Sequence, residues 1–116
     1  MTKIFIVDDY EPVRTLIKLW LEGHHKVVAT AATYEDAMLS VPKLIAVGAQ
    51  VAILDGSLGH SQNDGQEIAD AIRKAAPSIK IISSSGQIRS WGDVNLMKPY
   101  SKEDLLEAIS KLTGGT

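Results

Sequence analysis

The chain alternates between short runs of apolar residues and longer segments in which apolar residues recur at the spacing of a helix. Residues 3–7 are apolar after the first position and rich in β-branched side chains, a pattern typical of a strand covered on both faces. The segment between Pro12 and Gly23 predicts a helix, because one of its faces carries five apolar residues: Val13, Leu16, Ile17, Trp20 and Leu21.

The same alternation predicts four more strands and three more helices. The strands are expected at residues 26–31, 50–54, 79 to 83 or 84, and 94–97. The helices are expected after the N-cap residue Thr33, over residues 66–76, and after the N-cap residue Ser101. Because Pro42 falls inside the second helical pattern, a break is expected near Val41.

Strands that alternate with helices predict right-handed crossovers and a parallel sheet with helices on both faces. Ligands of such sheets bind beyond the carboxyl ends of the strands. The residues at those ends are polar, and most of them are charged: Asp8, Asp9, Asp55, Ser84, Ser85 and Lys98. These residues are therefore the first candidates for a functional site.

Composition narrows the possible classes of function. The 116 residues include 12 basic and 14 acidic side chains, which suits one domain and gives no reason to expect nucleic-acid or membrane binding. The absence of cysteine excludes disulfides, cysteine–zinc sites, iron–sulfur clusters and thiol nucleophiles. Because no apolar run suits a signal peptide or a membrane span, a cytoplasmic domain is expected.

Each candidate residue also has an ordinary structural explanation. The three acids could cap helices, Lys98 could be a solvated residue before a turn, and the serines could satisfy strand-end carbonyls. Together, however, three carboxylates at one sheet edge would repel one another unless a cation compensates their charge. Mg²⁺ suits that role, and a lysine and a hydroxyl suit a nearby phosphoryl group. The set therefore predicts phosphoryl transfer onto an aspartate.

The order and spacing of these residues resemble the receiver domains of two-component response regulators. The resemblance runs from Ile4 to Leu112 and includes Asp64-Gly65 at the start of a helix and Lys98-Pro99 after the fifth strand. It implies a flavodoxin-like α/β fold, with a five-stranded parallel sheet in the order 2-1-3-4-5 and helices on both faces. Residues 1–116 would form one receiver domain, with no separate output domain.

The resemblance also implies a separate role for each of the acids. Asp55 would accept a phosphoryl group from the phosphohistidine of a histidine kinase or a phosphotransfer protein. Asp9 would be the main ligand of Mg²⁺, or of Mn²⁺ in its place, and Asp8 would help through the water shell of the metal. The backbone carbonyl of Ser57, two residues after the acceptor, would complete the ligands that the protein supplies.

Two further roles follow from the same resemblance. Lys98 would pair with the acceptor and then with its phosphoryl group. Ser85 would supply the hydroxyl that moves toward a phosphoryl oxygen, and Ser84 competes for that role because strand ends are uncertain by a residue. The protein would be no enzyme beyond catalysing its own phosphorylation and dephosphorylation. Its expected downstream partner is a protein, and a monomer is expected.

The sequence departs from the family pattern at three places. The loop after Asp55 is longer than usual and has Gly59 where the family has a proline, so a mobile loop is expected. Residues 86–93 are too few for two turns and a helix of average length, about 11–12 residues, so the family's fourth helix should be short or missing. Trp91 is expected to fill the gap. Asn95 replaces the usual aromatic switch residue.

Three alternatives to the receiver make different demands on these residues. A haloacid-dehalogenase-type phosphohydrolase needs a second aspartate where Ser57 stands. A flavin-binding flavodoxin-like module would place a phosphate beside Asp8 and Asp9, which would repel it. A degenerate receiver, acting as a phosphorylation-independent interaction module, is disfavoured by the acid cluster but remains open because the loops are altered.

Overall fold

The five predicted strands form one parallel sheet. The computed structural model describes residues 1–114, whose elements are β1 (Lys3–Val7), α1 (Glu11–Leu21), β2 (Lys26–Ala31), α2 (Tyr34–Ser40), β3 (Val51–Asp55), α3 (Asp64–Ala75), β4 (Lys80–Ser85), β5 (Val94–Met97) and α4 (Lys102–Leu112). The strand order is β2-β1-β3-β4-β5, and every neighbouring pair is parallel. This topology confirms the predicted strand order.

Alternate residues of the central strands bury two apolar clusters, one on each face of the sheet. In β1, Phe5 points to the side covered by α2 and α3, and its neighbour Ile4 points to the side covered by α1 and α4. Both side chains are fully buried. Burying side chains of this size contributes about 1.5–3 kcal/mol each to the stability of the fold. The two apolar clusters therefore hold in place the sheet whose strand ends carry the polar residues.

Short-range signals set several of the helix ends. The Thr33 hydroxyl accepts a hydrogen bond from the Asp36 N–H at 3.0 Å, which caps α2 as predicted. Ser101 and Asp104 form a reciprocal capping box at the start of α4. The helix α2 ends before Pro42, which lies in a short 3₁₀ helix. The break expected near Val41 is thereby confirmed.

Several boundaries differ from the prediction by one or two residues. The strand β3 ends at Asp55, because this residue still pairs with Ser84 of β4. The helix α3 begins at Asp64 rather than at residue 66. Leu16 was predicted on the apolar face of α1, but it is 43% exposed, whereas the adjacent Ile17 is buried against the sheet. None of the helices in residues 1–114 is long and apolar enough to cross a membrane.

The connection between β4 and β5 contains no helix, as the sequence predicts. Its end is tied to β4 by Asp93, whose N–H donates to the Ile81 carbonyl at 2.8 Å. The Asp93 carboxylate also accepts a hydrogen bond from the Ile81 N–H at 2.7 Å. The two bonds bring β5 directly back to the sheet.

Two side chains close this connection against the sheet and α3. The Asn95 carbonyl oxygen accepts hydrogen bonds from the Ser83 hydroxyl at 2.7 Å and from the Gly92 N–H at 2.9 Å. Trp91 packs against the apolar cluster beneath α2 and α3. Its ring approaches Gly65 so closely that a Cβ there would lie 2.7 Å from a ring carbon. Trp91 therefore fills the gap, as expected.

Candidate functional site

Three acidic side chains meet at the carboxyl ends of β1 and β3. The two strands pair in register up to Val7 and Leu54, so Asp8 and Asp55 leave the sheet side by side. One carboxylate oxygen from each of Asp8, Asp9 and Asp55 lies within 4.8 Å of the other two. Asp8 is 1% exposed and Asp55 is 8% exposed, whereas Asp9 is open to solvent. The structure thus brings the three predicted acids together.

A lysine from the end of β5 reaches into this acid cluster. The Lys98 Nζ lies 2.7 Å from an Asp8 carboxylate oxygen and 3.6 Å from an Asp55 carboxylate oxygen. Burial would lower the pKa of Lys98, but the hydrogen bond to Asp8 and the charge of Asp55 outweigh burial and raise this pKa. Lys98 therefore stays cationic and is shared between the two acids, with Asp8 as the nearer partner.

The carboxyl of Asp55 is poised between its two protonation states near neutral pH. Burial is the main cause that raises its pKa, and the negative charge of Asp8 raises it further. The charge of Lys98 offsets part of this rise and leaves the pKa at about 6. Asp55 is therefore mostly ionised at neutral pH, in a site where nearby negative charge makes that state costly.

The donor set fits a small divalent cation. Three carboxylates supply the hard oxygen ligands that Mg²⁺ and Mn²⁺ prefer. Asp8 already accepts hydrogen bonds from the Tyr10 N–H at 2.9 Å and from Lys98, whereas Asp9 is exposed. Asp9 is thus the more accessible ligand. Ser57 lies two residues after Asp55, at the start of the loop to α3.

The two candidate serines have different surroundings. The Ser84 hydroxyl forms a 2.7 Å hydrogen bond with the Tyr100 hydroxyl. The Ser85 hydroxyl faces the residue that follows Asp55, since a Cβ on Gly56 would lie 2.8 Å from Ser85 Oγ. Both serines are buried. Ser84 is thus the strand partner of Asp55 with its hydroxyl on Tyr100, whereas the Ser85 hydroxyl lies beside Gly56.

Comparison with known proteins identifies the family. The model of the response regulator receiver domain family matches residues 4–110. The chain belongs to this family. Among solved structures, a CheY-like response regulator receiver domain protein from Methanospirillum hungatei JF-1 is 26% identical, with a TM-score of 0.84 over 99% of this chain and 96% of that chain.

Two further solved structures share the receiver fold at lower identity. RcsB from Salmonella enterica serovar Typhimurium, bound to promoter rprA in the presence of phosphomimetic BeF₃⁻, is 23% identical, with a TM-score of 0.80 over 97% of this chain and 99% of that chain. The CheX–CheY–BeF₃–Mg²⁺ complex from Borrelia burgdorferi gives 17% identity and a TM-score of 0.82, over 97% and 89% of the two chains. No curated protein matches the sequence.

A third buried acid, Asp64, organises the loop between β3 and α3. The Asp64 carboxylate accepts backbone hydrogen bonds from Leu58 at 2.8 Å, Ser61 at 2.9 Å and His60 at 3.1 Å, and it also bonds the His60 ring at 2.9 Å. The ring stacks on Tyr34, with centroids 4.3 Å apart. These contacts anchor a loop whose length and glycines predict mobility.

The pKa of Asp64 follows from these contacts. Burial would raise it, but the hydrogen bonds from the Ser61 and Leu58 N–H groups and from His60 outweigh burial and lower it below the ordinary value. The sequence pointed to Asp64 only as the start of a helix. Its role in holding the loop depends on three N–H groups that turn toward one point.

Arg89 is a basic residue near the site that the sequence pattern does not predict as a site residue. The Arg89 Nε donates a hydrogen bond to Ser85 Oγ at 3.2 Å, and its Nη1 donates to the Gln62 carbonyl at 2.9 Å. Arg89 thus links the end of β4 to the loop before α3. The sequence signal for Arg89 is a basic residue four positions after Ser85 in a shortened connection. Residue spacing alone does not show where its side chain points.

Proposed function

We propose that this receiver accepts a phosphoryl group on Asp55 from the phosphohistidine of a histidine kinase or phosphotransfer protein. The modification then switches the binding of a downstream protein. The observation that carries this proposal is the buried Asp55 carboxylate, which shares one sheet edge with two more acids and a lysine. This arrangement suits a nucleophile whose product carries additional negative charge.

Asp55 acts as the nucleophile in the transfer. One of its carboxylate oxygens attacks phosphorus, a bond forms between oxygen and phosphorus, and the phosphorus–nitrogen bond of the donor breaks. The histidine nitrogen keeps the electron pair of that bond. With a pKa of about 6, Asp55 is mostly ionised at neutral pH and can attack. Lys98, whose Nζ lies 3.6 Å from the carboxylate, offsets negative charge on the transferred group.

The acids and one backbone carbonyl hold the metal that this transfer requires. Asp9 would be its main carboxylate ligand, Asp55 and the Ser57 carbonyl would complete the set, and Asp8 would contribute through the water shell of the metal. The hydrogen bonds that Asp8 already accepts support this division. When bound, Mg²⁺ or Mn²⁺ neutralises charge on the acids and on the group in transfer.

The hydroxyl of Ser85 reports the phosphorylated state. It lies beside Gly56, the residue after the acceptor, whereas the Ser84 hydroxyl is engaged by Tyr100. A shift of Ser85 toward a phosphoryl oxygen would be felt along β4 and the connection to β5. Because Asn95 stands in place of an aromatic residue and hydrogen-bonds Ser83 and Gly92, the signal passes through this connection rather than through a swinging ring.

Intact-mass measurement after incubation with acetyl phosphate and Mg²⁺ tests the proposal. The protein should gain one phosphoryl group, and a chelator should abolish the gain. Asp55→Asn should show no adduct. A matched control is Asp70→Asn, which removes an exposed carboxylate from α3 and should be phosphorylated like the wild type.

Acetyl phosphate is a poor donor for some acceptors, so beryllofluoride binding is the second arm. A protein that neither gains the phosphoryl group nor binds beryllofluoride with Mg²⁺ contradicts the proposal. That result would support a receiver that acts as an interaction module independently of phosphorylation.

A further inference from the structure

The shortened connection between β4 and β5 places a guanidinium group over the backbone next to the acceptor. A Cβ on Gly56 would lie 2.8 Å from the Arg89 Nε and 2.9 Å from its Cζ. Real Cβ atoms do not approach other atoms so closely, so with any other residue at position 56 the Arg89 side chain would have to shift. The guanidinium therefore lies against Gly56, the residue that follows Asp55, on the side where Ser85 presents its hydroxyl.

The charge of Arg89 has no acidic partner in the part of the chain that the structure describes. Lys98 forms ion pairs with two carboxylates and Arg73 with one, but within residues 1–114 Arg89 forms none. Its two hydrogen bonds go to neutral oxygens of Ser85 and Gln62. An arginine side chain carries five N–H donors, so Arg89 keeps donors for a further acceptor.

The charges at the site indicate what that acceptor is. At this edge of the sheet one lysine forms ion pairs with two of the three carboxylates, while Arg14 donates to the Asp8 backbone carbonyl at 2.8 Å. A phosphoryl group on Asp55 adds negative charge. A guanidinium binds phosphate oxygens through two parallel N–H groups, and it does so more specifically than a lysine does. An unpaired arginine beside the acceptor thus matches the charge that phosphorylation creates.

The hydrogen bonds of Ser85 point the same way. Its hydroxyl oxygen accepts from the Gln87 N–H at 3.1 Å and from the Arg89 Nε. A serine oxygen has two lone pairs and one proton. With both lone pairs occupied, the proton of Ser85 is the group that remains to be donated, and an oxygen of a phosphoryl group is a suitable acceptor.

We infer that Arg89 is a second cationic residue of the phosphoryl site. Its guanidinium contacts the anionic group carried by Asp55 and holds the Ser85 hydroxyl with its proton directed at the same group. This inference rests on the proposed function of Asp55. It extends that function by assigning to the shortened connection a direct part in binding the phosphoryl group.

The affinity for beryllofluoride in the presence of Mg²⁺ tests this assignment, measured by ¹⁹F NMR titration at low and high salt. The loss of one charge-assisted contact corresponds to about a tenfold weaker affinity. Arg89→Ala and Arg89→Gln should both show that loss, whereas Arg89→Lys should keep part of the affinity because it keeps the charge. The difference between the wild type and Arg89→Gln should shrink at high salt.

Arg73→Ala is the matched control, because Arg73 lies on α3 and pairs with Asp93 at the surface. Its affinity should equal that of the wild type, and thermal unfolding should show that all variants are folded. Equal affinity of the wild type and Arg89→Ala would overturn the inference. Equal affinity of Arg89→Gln and Arg89→Lys would also overturn it, because the positive charge of residue 89 would then make no contribution to binding.

The same titration distinguishes a failure of the Arg89 role from a failure of the Asp55 role. Wild-type protein that forms the Asp55 adduct while Arg89→Ala binds beryllofluoride normally refutes the role of Arg89 alone. Wild-type protein that forms no adduct and binds no beryllofluoride refutes the proposed function, and the role of Arg89 falls with it.

Discussion

Asp55 and Asp64 lie at the two ends of one loop, and both are buried, yet their surroundings shift their pKa values in opposite directions. The pKa of Asp55 is raised to about 6, first by burial and then by the charge of Asp8. The pKa of Asp64 is lowered because hydrogen bonds from backbone N–H groups and His60 outweigh burial. Burial alone therefore does not decide the protonation state of either acid.

The contrast separates a structural acid from a reactive one. Asp64 is surrounded by donors that favour its anion, and its charge stabilises the loop. Asp55 is surrounded by other carboxylates, and Lys98 is the one basic side chain in residues 1–114 that forms an ion pair with them. The contacts of Asp64 therefore stabilise the folded protein. The surroundings of Asp55 destabilise its anion, and a bound cation or transfer of a group to the carboxylate would relieve that cost.

Replacing Asp64 should have the largest effect on stability. Asp64→Ala leaves three backbone N–H groups and the His60 ring without their acceptor. Bonds to a charged group contribute about 1.5–3 kcal/mol each before relaxation, so we expect a loss of about 3 kcal/mol in urea unfolding. Asp70→Ala, which removes an exposed acid from α3, should change the free energy of unfolding little. A loss as small as that of the control would contradict this account of the loop.

Replacing Asp55 should increase the free energy of unfolding, whereas replacing Asp64 should decrease it. Because its folded pKa is raised from 3.8 to about 6, the unfolded chain loses the proton first, and stability falls as pH rises across that interval. Asp55→Asn avoids this cost and should be more stable than the wild type by about 1 kcal/mol at pH 7.5. The advantage should disappear below pH 3.8, where both forms of the acid are neutral.

Thermal unfolding of Asp55→Asn and the wild type at the two pH values checks this sign. For a domain of this size, 1 kcal/mol corresponds to a shift of several degrees in Tm, about 4 °C. A variant that is less stable than the wild type at pH 7.5 would show that Lys98 compensates the acid fully, contrary to the raised pKa.

His60→Phe should have the smallest effect, and it separates the contribution of the His60 ring to the Asp64 site from that of the backbone N–H groups. Phenylalanine can keep the stacking on Tyr34 but loses the hydrogen bond to Asp64. Since the three backbone bonds to Asp64 remain, we expect a loss of about 0.5–1.5 kcal/mol in urea unfolding. A loss equal to that of Asp64→Ala would mean that the ring, not the backbone N–H groups, supports the loop.

The periodicity and strand-end chemistry of the sequence were sufficient to predict the sheet. Apolar runs identified the five strands, and polar residues directly after them pointed to the edge where Asp8, Asp9 and Asp55 meet. The absence of a fourth family helix followed from simple counting, since residues 86–93 leave no room for one. These features depend on local pattern and chain length, which a sequence contains directly.

Features that depend on where a long side chain reaches could not be predicted in this way. The sequence indicated that Lys98 would pair with Asp55, but its nearer partner is Asp8. Nothing in the spacing showed that Arg89 crosses Gly56. The positions of these charges depend on the packing of two loops that are far apart in the chain and on the register of β3 and β4, which no local pattern specifies.

Mapping the modified residue shows which acid accepts the phosphoryl group. Borohydride reduces an aspartyl phosphate to homoserine, so the protein would be treated with acetyl phosphate and Mg²⁺, reduced, digested and sequenced by mass spectrometry. We expect homoserine at position 55 and an unchanged side chain at Asp8, Asp9 and Asp64. Homoserine at any of those other positions, with Asp55 intact, would contradict this expectation.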